Sequence, residues 1–215
     1  MAKVLIATLY SPDPVLLAAN RLGPDRLILL IDKKPNKKQQ ENYKLIEESL
    51  GRVVDVKKSP TDVYNIVKVA EKCVEIIDMQ PKDDEIYVNV TSGRKTKALG
   101  LLFAAYARND RVKKIAYNPE EDKTSVIYLP KLAFKLNESQ KKVLETLAEK
   151  DYSKKTLTEL AEIIGISRAM LYRNINELKD MGYISSESNF LLTDAGRIAR
   201  LWNLNIVNVL NIICG

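Results

Sequence analysis

Short apolar runs alternate with amphipathic segments along the first part of the chain. Lys3 to Leu9 and Arg26 to Asp32 read as strands, and Pro14 to Leu22 and Gln39 to Leu50 as helices. A third strand is predicted at Arg52 to Val56. The helix predicted at Asp62 to Met79 gathers Val63, Ile66, Val67, Ala70, Cys73, Val74 and Ile77 on one face. Ile86, Val88 and Val90 alternate through a fourth strand, and Ala98 to Ala107 follows with helical spacing. Such alternation predicts a mostly parallel sheet with helices on both faces, an α/β Rossmann-like fold. Lys113 to Tyr117 and Ser125 to Leu129 flank a Pro-containing turn and read as an antiparallel edge hairpin.

The pattern then changes. A boundary falls between Pro130 and Asn137, and Asn137 caps a helix with Val143, Leu144 and Leu147 on its apolar face. Thr156 to Ile164 is a second helix, Gly165 to Ser167 a tight turn, and Arg168 to Met181 a third helix: a helix-turn-helix in spacing and turn chemistry. A short hairpin over Tyr183 to Leu192 and a helix starting at Thr193 to Gly196 complete an α+β winged helix. The expected organisation is a ligand-sensing domain over 1–132, a DNA-binding domain over 133–200, and an apolar helix or tail over 201–215. That uncharged tail, containing Trp202, is expected to pack across a two-fold axis or under the first domain.

In the third helix Leu171, Ile175 and Leu178 face the core. Ser167, Arg168, Ala169, Tyr172, Arg173 and Asn176 remain for the other face, the mixture expected of a helix entering a major groove. A domain of this shape also serves for dimerisation or protein docking. Residues 137–200 carry ten Lys/Arg and ten Asp/Glu, so the chain's net charge of +6 resides in the first 136 residues. Non-specific DNA affinity is therefore expected to be weak, which makes a second copy important, and a polyanionic ligand is expected at the first domain.

Composition narrows the chemistry. The 215 residues are 46% hydrophobic and 29% charged, as in a soluble globular protein, with no run of membrane-spanning length and no cleavage-type signal, so a cytoplasmic protein is expected. Cys73 and Cys214 suit buried thiols in a reducing compartment. The absence of histidine removes Ser-His-Asp and Cys-His triads and most zinc enzymes. No metal or resident cofactor is called for, and no catalytic residue is assigned.

The most informative stretch runs from Glu85 to Lys97, where a strand breaks into Thr91, Ser92, Gly93, Arg94 and Lys95 before a helix. Hydroxyl donors, a glycine that admits close backbone approach, the cations Arg94, Lys95 and Lys97, and a helix N-terminus together suit phosphate. A glycine turn before a solvated basic helix start has the same composition, so both readings stand on the motif alone. The loop after the first strand, Thr8 to Pro14, offers Tyr10, Ser11, Pro12 and Asp13, and also suits a simple helix-starting turn. Neither loop carries a dinucleotide or nucleoside-triphosphate fingerprint.

With Asn89-Val-Thr-Ser-Gly-Arg-Lys95 after the fourth strand, Tyr10-Ser-Pro-Asp13 after the first, and a C-terminal winged helix, the chain resembles the CRISPR-associated Rossmann-fold (CARF) regulators of archaea. The resemblance implies a homodimer with a symmetric pocket for a cyclic oligoadenylate, typically cyclic tetra-adenylate, and winged helices on promoter DNA in antiviral defence. Carried over by position, the ligand-binding set is Thr8, Tyr10, Ser11, Pro12, Asp13, Asn89, Thr91, Ser92, Gly93, Arg94 and Lys95. Two alternatives stay open. Some relatives cleave the ring without metal, for which Ser11, Arg94 and Lys95 would serve, and the sensor would equally suit another nucleotide or phosphorylated metabolite.

Overall fold

The computed structural model describes residues 1–119, 121–122, 125–130, 136–187 and 190–201. The expectations for the 202–215 tail, including Trp202 and Cys214, fall outside the described residues. Contacts divide the chain into two units, Met1–Ala133 and Phe134–Gly215.

The first unit is an α/β layer structure. In chain order it runs β1 (Lys3–Thr8), α1 (Asp13–Leu22), β2 (Arg26–Asp32), α2 (Lys37–Leu50), β3 (Asp55–Thr61), α3 (Ile66–Asp78), β4 (Glu85–Asn89), α4 (Lys95–Ala107), β5 (Val112–Tyr117) and β6 (Ile127–Leu129). The sheet order is β3-β2-β1-β4-β5-β6, parallel except for the antiparallel β5–β6 pair. Leu5, Ala7, Leu9, Leu27, Leu29 and Ile31 form a core with Val15 and Ala19 of α1 and Ile46 and Leu50 of α2. The alternate positions Val4, Ile6, Ile28 and Leu30 turn to the opposite face and are equally buried. Helices α3 and α4 pack on each other, and α4 also contacts β1, β4 and β5.

Two elements begin later than their apolar pattern predicts. The third strand is Asp55–Thr61, not Arg52 to Val56, because residues after α2 turn back on it: the N–H groups of Val53 and Val54 both donate to Leu50 O. As an edge strand, β3 pairs on one side only, and its exposed Lys57, Lys58 and Pro60 suit an edge that repels further pairing. Helix α3 starts at Ile66, not Asp62, because the Asp62 carboxylate accepts from the N–H groups of Tyr64 and Asn65 and holds a turn there. Conversely, α4 begins at Lys95, three residues before its apolar run.

The second unit holds α5 (Glu138–Glu149), α6 (Leu157–Ile164), α7 (Arg168–Asp180) and α8 (Asp194–Leu201). Val143, Leu144 and Leu147 meet Leu160, Ala161, Leu171, Ile175, Leu178 and Ala199 in one core. Helix α6 ends at Gly165, whose φ of +74° is the left-handed turn of a helix-turn-helix. Among the described residues, the predicted hairpin after α7 has one antiparallel bridge, between Ile184 and Leu192, flanked by the Ser185 N–H bond to Leu191 O. Ser188 and Asn189 within it lie outside the described residues. No described helix is long and apolar enough to cross a membrane.

Candidate functional site

Strands β1 and β4 are neighbours, while the chain proceeds from β1 outward to β2 and β3 and only then returns to β4. The loops after β1 and β4 therefore leave the sheet side by side at its reversal point, where open α/β sheets leave a crevice. Both candidate loops lie there.

They are laced together by side chains that the sequence offers as ligand donors. Ser92 is buried, and its Oγ accepts from the Tyr10 and Ser11 N–H groups, both at 2.9 Å, and donates to Ser11 O at 3.1 Å. Thr8 has no exposed surface and donates its hydroxyl to Ser92 O. Gly93 has φ +93°, and a Cβ there would lie 2.8 Å from Thr8 Cβ. Its freedom thus brings the β4–α4 turn onto the β1 loop. Asn89 is also buried: its Nδ2 donates to Asn118 Oδ1 at 3.0 Å and its Oδ1 accepts from the Thr91 N–H. Asn118, at the end of β5 and absent from the sequence prediction, further exchanges bonds with the Thr91 hydroxyl.

Among the named ligand residues, Thr8, Asn89 and Ser92 therefore build the scaffold. Tyr10, Asp13, Arg94 and Lys95 are exposed, and Ser11, Pro12 and Thr91 are partly so. A cavity of about 620 Å³ opens between the two loops and α1, lined among others by Tyr10, Ser11, Leu17, Asn20, Thr91 and Gly93. Among the described residues that line it none is basic. Arg94 instead leans toward β2, where its Nε donates to Asp32 Oδ2 at 3.2 Å.

Asp32 is the second residue that sequence patterning missed. It closes an otherwise apolar strand, is itself buried, and pairs with both Arg94 and Lys97. Lys97 is fully buried, so it does not present charge to a ligand as its place beside Arg94 and Lys95 suggests. Burial opposes ionisation of Asp32, but the Lys97 ammonium and the Arg94 guanidinium outweigh it and hold the carboxyl below its ordinary range. One carboxylate against two cations leaves this cluster positive. The run Lys33, Lys34, Lys37 and Lys38, exposed in and after the β2–α2 loop, adds charge at the same end of the sheet. That basic run was readable in the sequence but lay outside the motifs.

Helix capping sets these two loops apart. Asn36, Asn65, Asn137, Thr156 and Ser167 each cap the helix that follows with a side-chain oxygen, and the Thr193 hydroxyl accepts from Gly196 N in α8. The cap positions of α1 and α4, Pro12 and Arg94, make no side-chain cap bond. At α1 this leaves little to offer, since Pro14 has no N–H and the Val15 N–H donates to Pro12 O, whereas at α4 the Lys97 N–H turns to Arg94 O and the Lys95 and Thr96 N–H groups have no acceptor among the described residues.

In the second unit Ser167, Arg168, Ala169, Tyr172, Arg173 and Asn176 are all exposed, while Leu171, Ile175 and Leu178 are buried. Ser167 spends its hydroxyl on Met170 N, so it is a cap first. Asn174 is buried as well, with its Oδ1 accepting from Ser139 Oγ of α5.

Residues 4–123, more than half of the chain, match the family model described as HFX_2341_N:-like, N-terminal. The chain belongs to that family. Residues 130–197 match a second model, helix-turn-helix of insertion element transposase. No curated protein matches the sequence significantly. Among solved structures, protein VC1899 from Vibrio cholerae is similar at TM-score 0.50 and 13% identity, over 92% of this chain and 64% of that one. Can2 from Sulfobacillus thermosulfidooxidans, in complex with cyclic tetra-adenylate, has TM-score 0.49 and 19% identity over 68% of this chain and 44% of that one. Enterococcus italicus Csm6, bound to cyclic hexa-2′-fluoro-hexa-dAMP, has 0.48 and 18% over 87% and 56%. The chain thus spans less than two thirds of each of these structures.

Proposed function

We propose that the protein is a ligand-responsive DNA-binding regulator acting as a homodimer. Its first unit takes a cyclic oligoadenylate, cyclic tetra-adenylate in the first instance, and its second unit binds promoter DNA in CRISPR-linked defence. The observation that carries the ligand half is the uncapped start of α4. Where the described fold closes most of its helix N-termini with a side chain, α4 keeps the Lys95 and Thr96 N–H groups for something else, beside Arg94, Lys95 and a cavity at the sheet's reversal point. The CARF resemblance supplies the ring. A two-fold axis would duplicate the Ser11 and Arg94/Lys95 loops and so match a ligand with repeating phosphates. The exposed Arg168, Tyr172, Arg173 and Asn176 on one face of α7 support the DNA half.

Calorimetric titration with cyclic tetra-adenylate, with cyclic hexa-adenylate and a linear tetramer as controls, tests the ligand. Saturation at one ring per two chains is expected. Heat from none of the three removes oligoadenylate as the ligand, and steady release of linear product over many turnovers makes the protein a ring-cleaving enzyme instead.

A further inference from the structure

Beyond the cradle, two exposed tyrosine rings at the carboxyl end of the sheet each lie against a cation. Lys38 Nζ is 5.2 Å from the centroid of Tyr10, and Arg94 Cζ is 5.9 Å from that of Tyr64. Tyr10 belongs to the sequence-derived ligand set, but Tyr64 does not. It is 81% exposed, so it contributes nothing to a core, and solvent exposure of so large an apolar ring goes against the usual preference of aromatic side chains.

The loop that displays Tyr64 is held in place. The Asp62 carboxylate accepts from the N–H groups of Tyr64 and Asn65 at 3.0 and 2.9 Å. On its other side, Thr96 Oγ1 of α4 donates to Val63 O at 2.6 Å, which ties the loop to the start of the helix that carries Arg94 and Lys95. Arg94 is oriented in turn by its Nε bond to Asp32, while 42% of its side chain stays exposed. A solvent-facing ring on a hydrogen-bonded loop, beside an oriented guanidinium at an uncapped helix start, has the makings of a nucleotide contact. The ring offers a face for a base, and the guanidinium and helix N–H groups offer donors for the adjoining phosphate. Among the described residues lining the cavity on the α1 side none is basic, so the cations described at this end of the sheet lie on the Arg94 side.

We propose that Tyr64 is a specificity-determining ligand residue, stacking a base of the oligonucleotide whose phosphate is held by Arg94. The assignment rests on the ligand reading above and adds a second contact surface on the β3 side of the cradle. It accounts for selection of a nucleotide over a bare phosphate, since a flat apolar face does nothing for inorganic anions.

The test is titration of wild type, Tyr64→Ala, Tyr64→Phe and Arg94→Ala with cyclic tetra-adenylate at several salt concentrations. Tyr64→Phe is expected to bind like wild type. Tyr64→Ala is expected to bind about 5- to 100-fold more weakly, with the salt dependence of wild type, because a stacking contact displaces no counterions; Arg94→Ala is expected to flatten that dependence. Wild-type affinity in Tyr64→Ala overturns the assignment. So does weakened binding with a flattened salt dependence, which would show Tyr64 acting only through Arg94. If wild type binds no ring, the ligand reading falls and Tyr64's role with it, an outcome distinct from both.

Discussion

Lys97 is fully buried and its ammonium pairs with the carboxylate of Asp32 at the end of β2. The pair joins α4 to β2 beneath Arg94, so two of the three cations after Gly93 share one internal counter-ion. The cost of burying the pair is met by mutual attraction only while both members are present. Asp32 is therefore a positioning residue, fixing Lys97 within the fold and Arg94 at its rim.

Asp32→Ala leaves Lys97 without its partner and is expected to cost about 3–5 kcal/mol of stability, whereas Asp32→Asn combined with Lys97→Met should return close to wild type. Urea midpoints measure both. pH gives an independent readout. Because Asp32 is held below its ordinary range, the stability it contributes is complete above the unfolded carboxyl value near ~4 and is lost as pH falls through the lower folded value. The double variant should lose less of its midpoint between pH 5 and about 2 than wild type does. Equal acid sensitivity in both would remove Asp32 from this role.

The fold was legible where periodicity and burial agree. Ile86 and Val88 alternate because one sheet layer buries them, and Leu171, Ile175 and Leu178 mark the α7 core at helical spacing. It was not legible at β3, where an edge strand gains its pairing from backbone bonds and needs no apolar run. At the site, sequence reading placed Thr91 to Lys95 in the correct turn but could not separate donors that face solvent from donors that build the turn. Ser92, Thr8 and Asn89 are spent on partners far away in sequence, and Lys97 resembles Lys95 in every local respect except the side of α4 it occupies. Asp32 and Asn118 were missed because each is a polar residue at the end of a strand, a common and uninformative pattern.

Gly93 holds the turn against Thr8. A Cβ there meets Thr8 Cβ at 2.8 Å, and φ +93° is unfavourable for any side chain. Gly93→Ala is expected to cost at least ~1–2 kcal/mol of stability from backbone conformation alone, and to weaken cyclic tetra-adenylate further by shifting the cradle. Thermal unfolding with calorimetry on the same sample separates the two effects. An unperturbed melting temperature would show that the turn relaxes freely.

Arg94 and Lys95 are exposed at the start of α4, so their replacement disturbs little of the fold. Arg94→Ala/Lys95→Ala is expected to lose cyclic tetra-adenylate binding by at least ~100-fold, at ~1.5–3 kcal/mol per charge-assisted bond, while melting within a few degrees of wild type. A folded variant that binds the ring normally would move the phosphate site elsewhere, and one that does not fold would make the pair structural.

Arg168 and Arg173 are exposed on α7, and Arg173 lies 3.8 Å from Glu177 one turn on, a surface contact of little energetic consequence. The balance of ten basic and ten acidic residues over 137–200 means that few charges favour DNA non-specifically, so each recognition-face arginine should matter disproportionately. With a duplex selected from a random pool by wild-type protein, Arg168→Ala/Arg173→Ala is expected to weaken binding at least tenfold, since each contact contributes about 1–3 kcal/mol. If both touch phosphates, the slope of log K against log salt falls by about 2; if both read bases, the slope holds and selectivity between related duplexes declines. Cyclic tetra-adenylate affinity stays at the wild-type value in either case. Unchanged DNA affinity would remove α7 as the recognition helix.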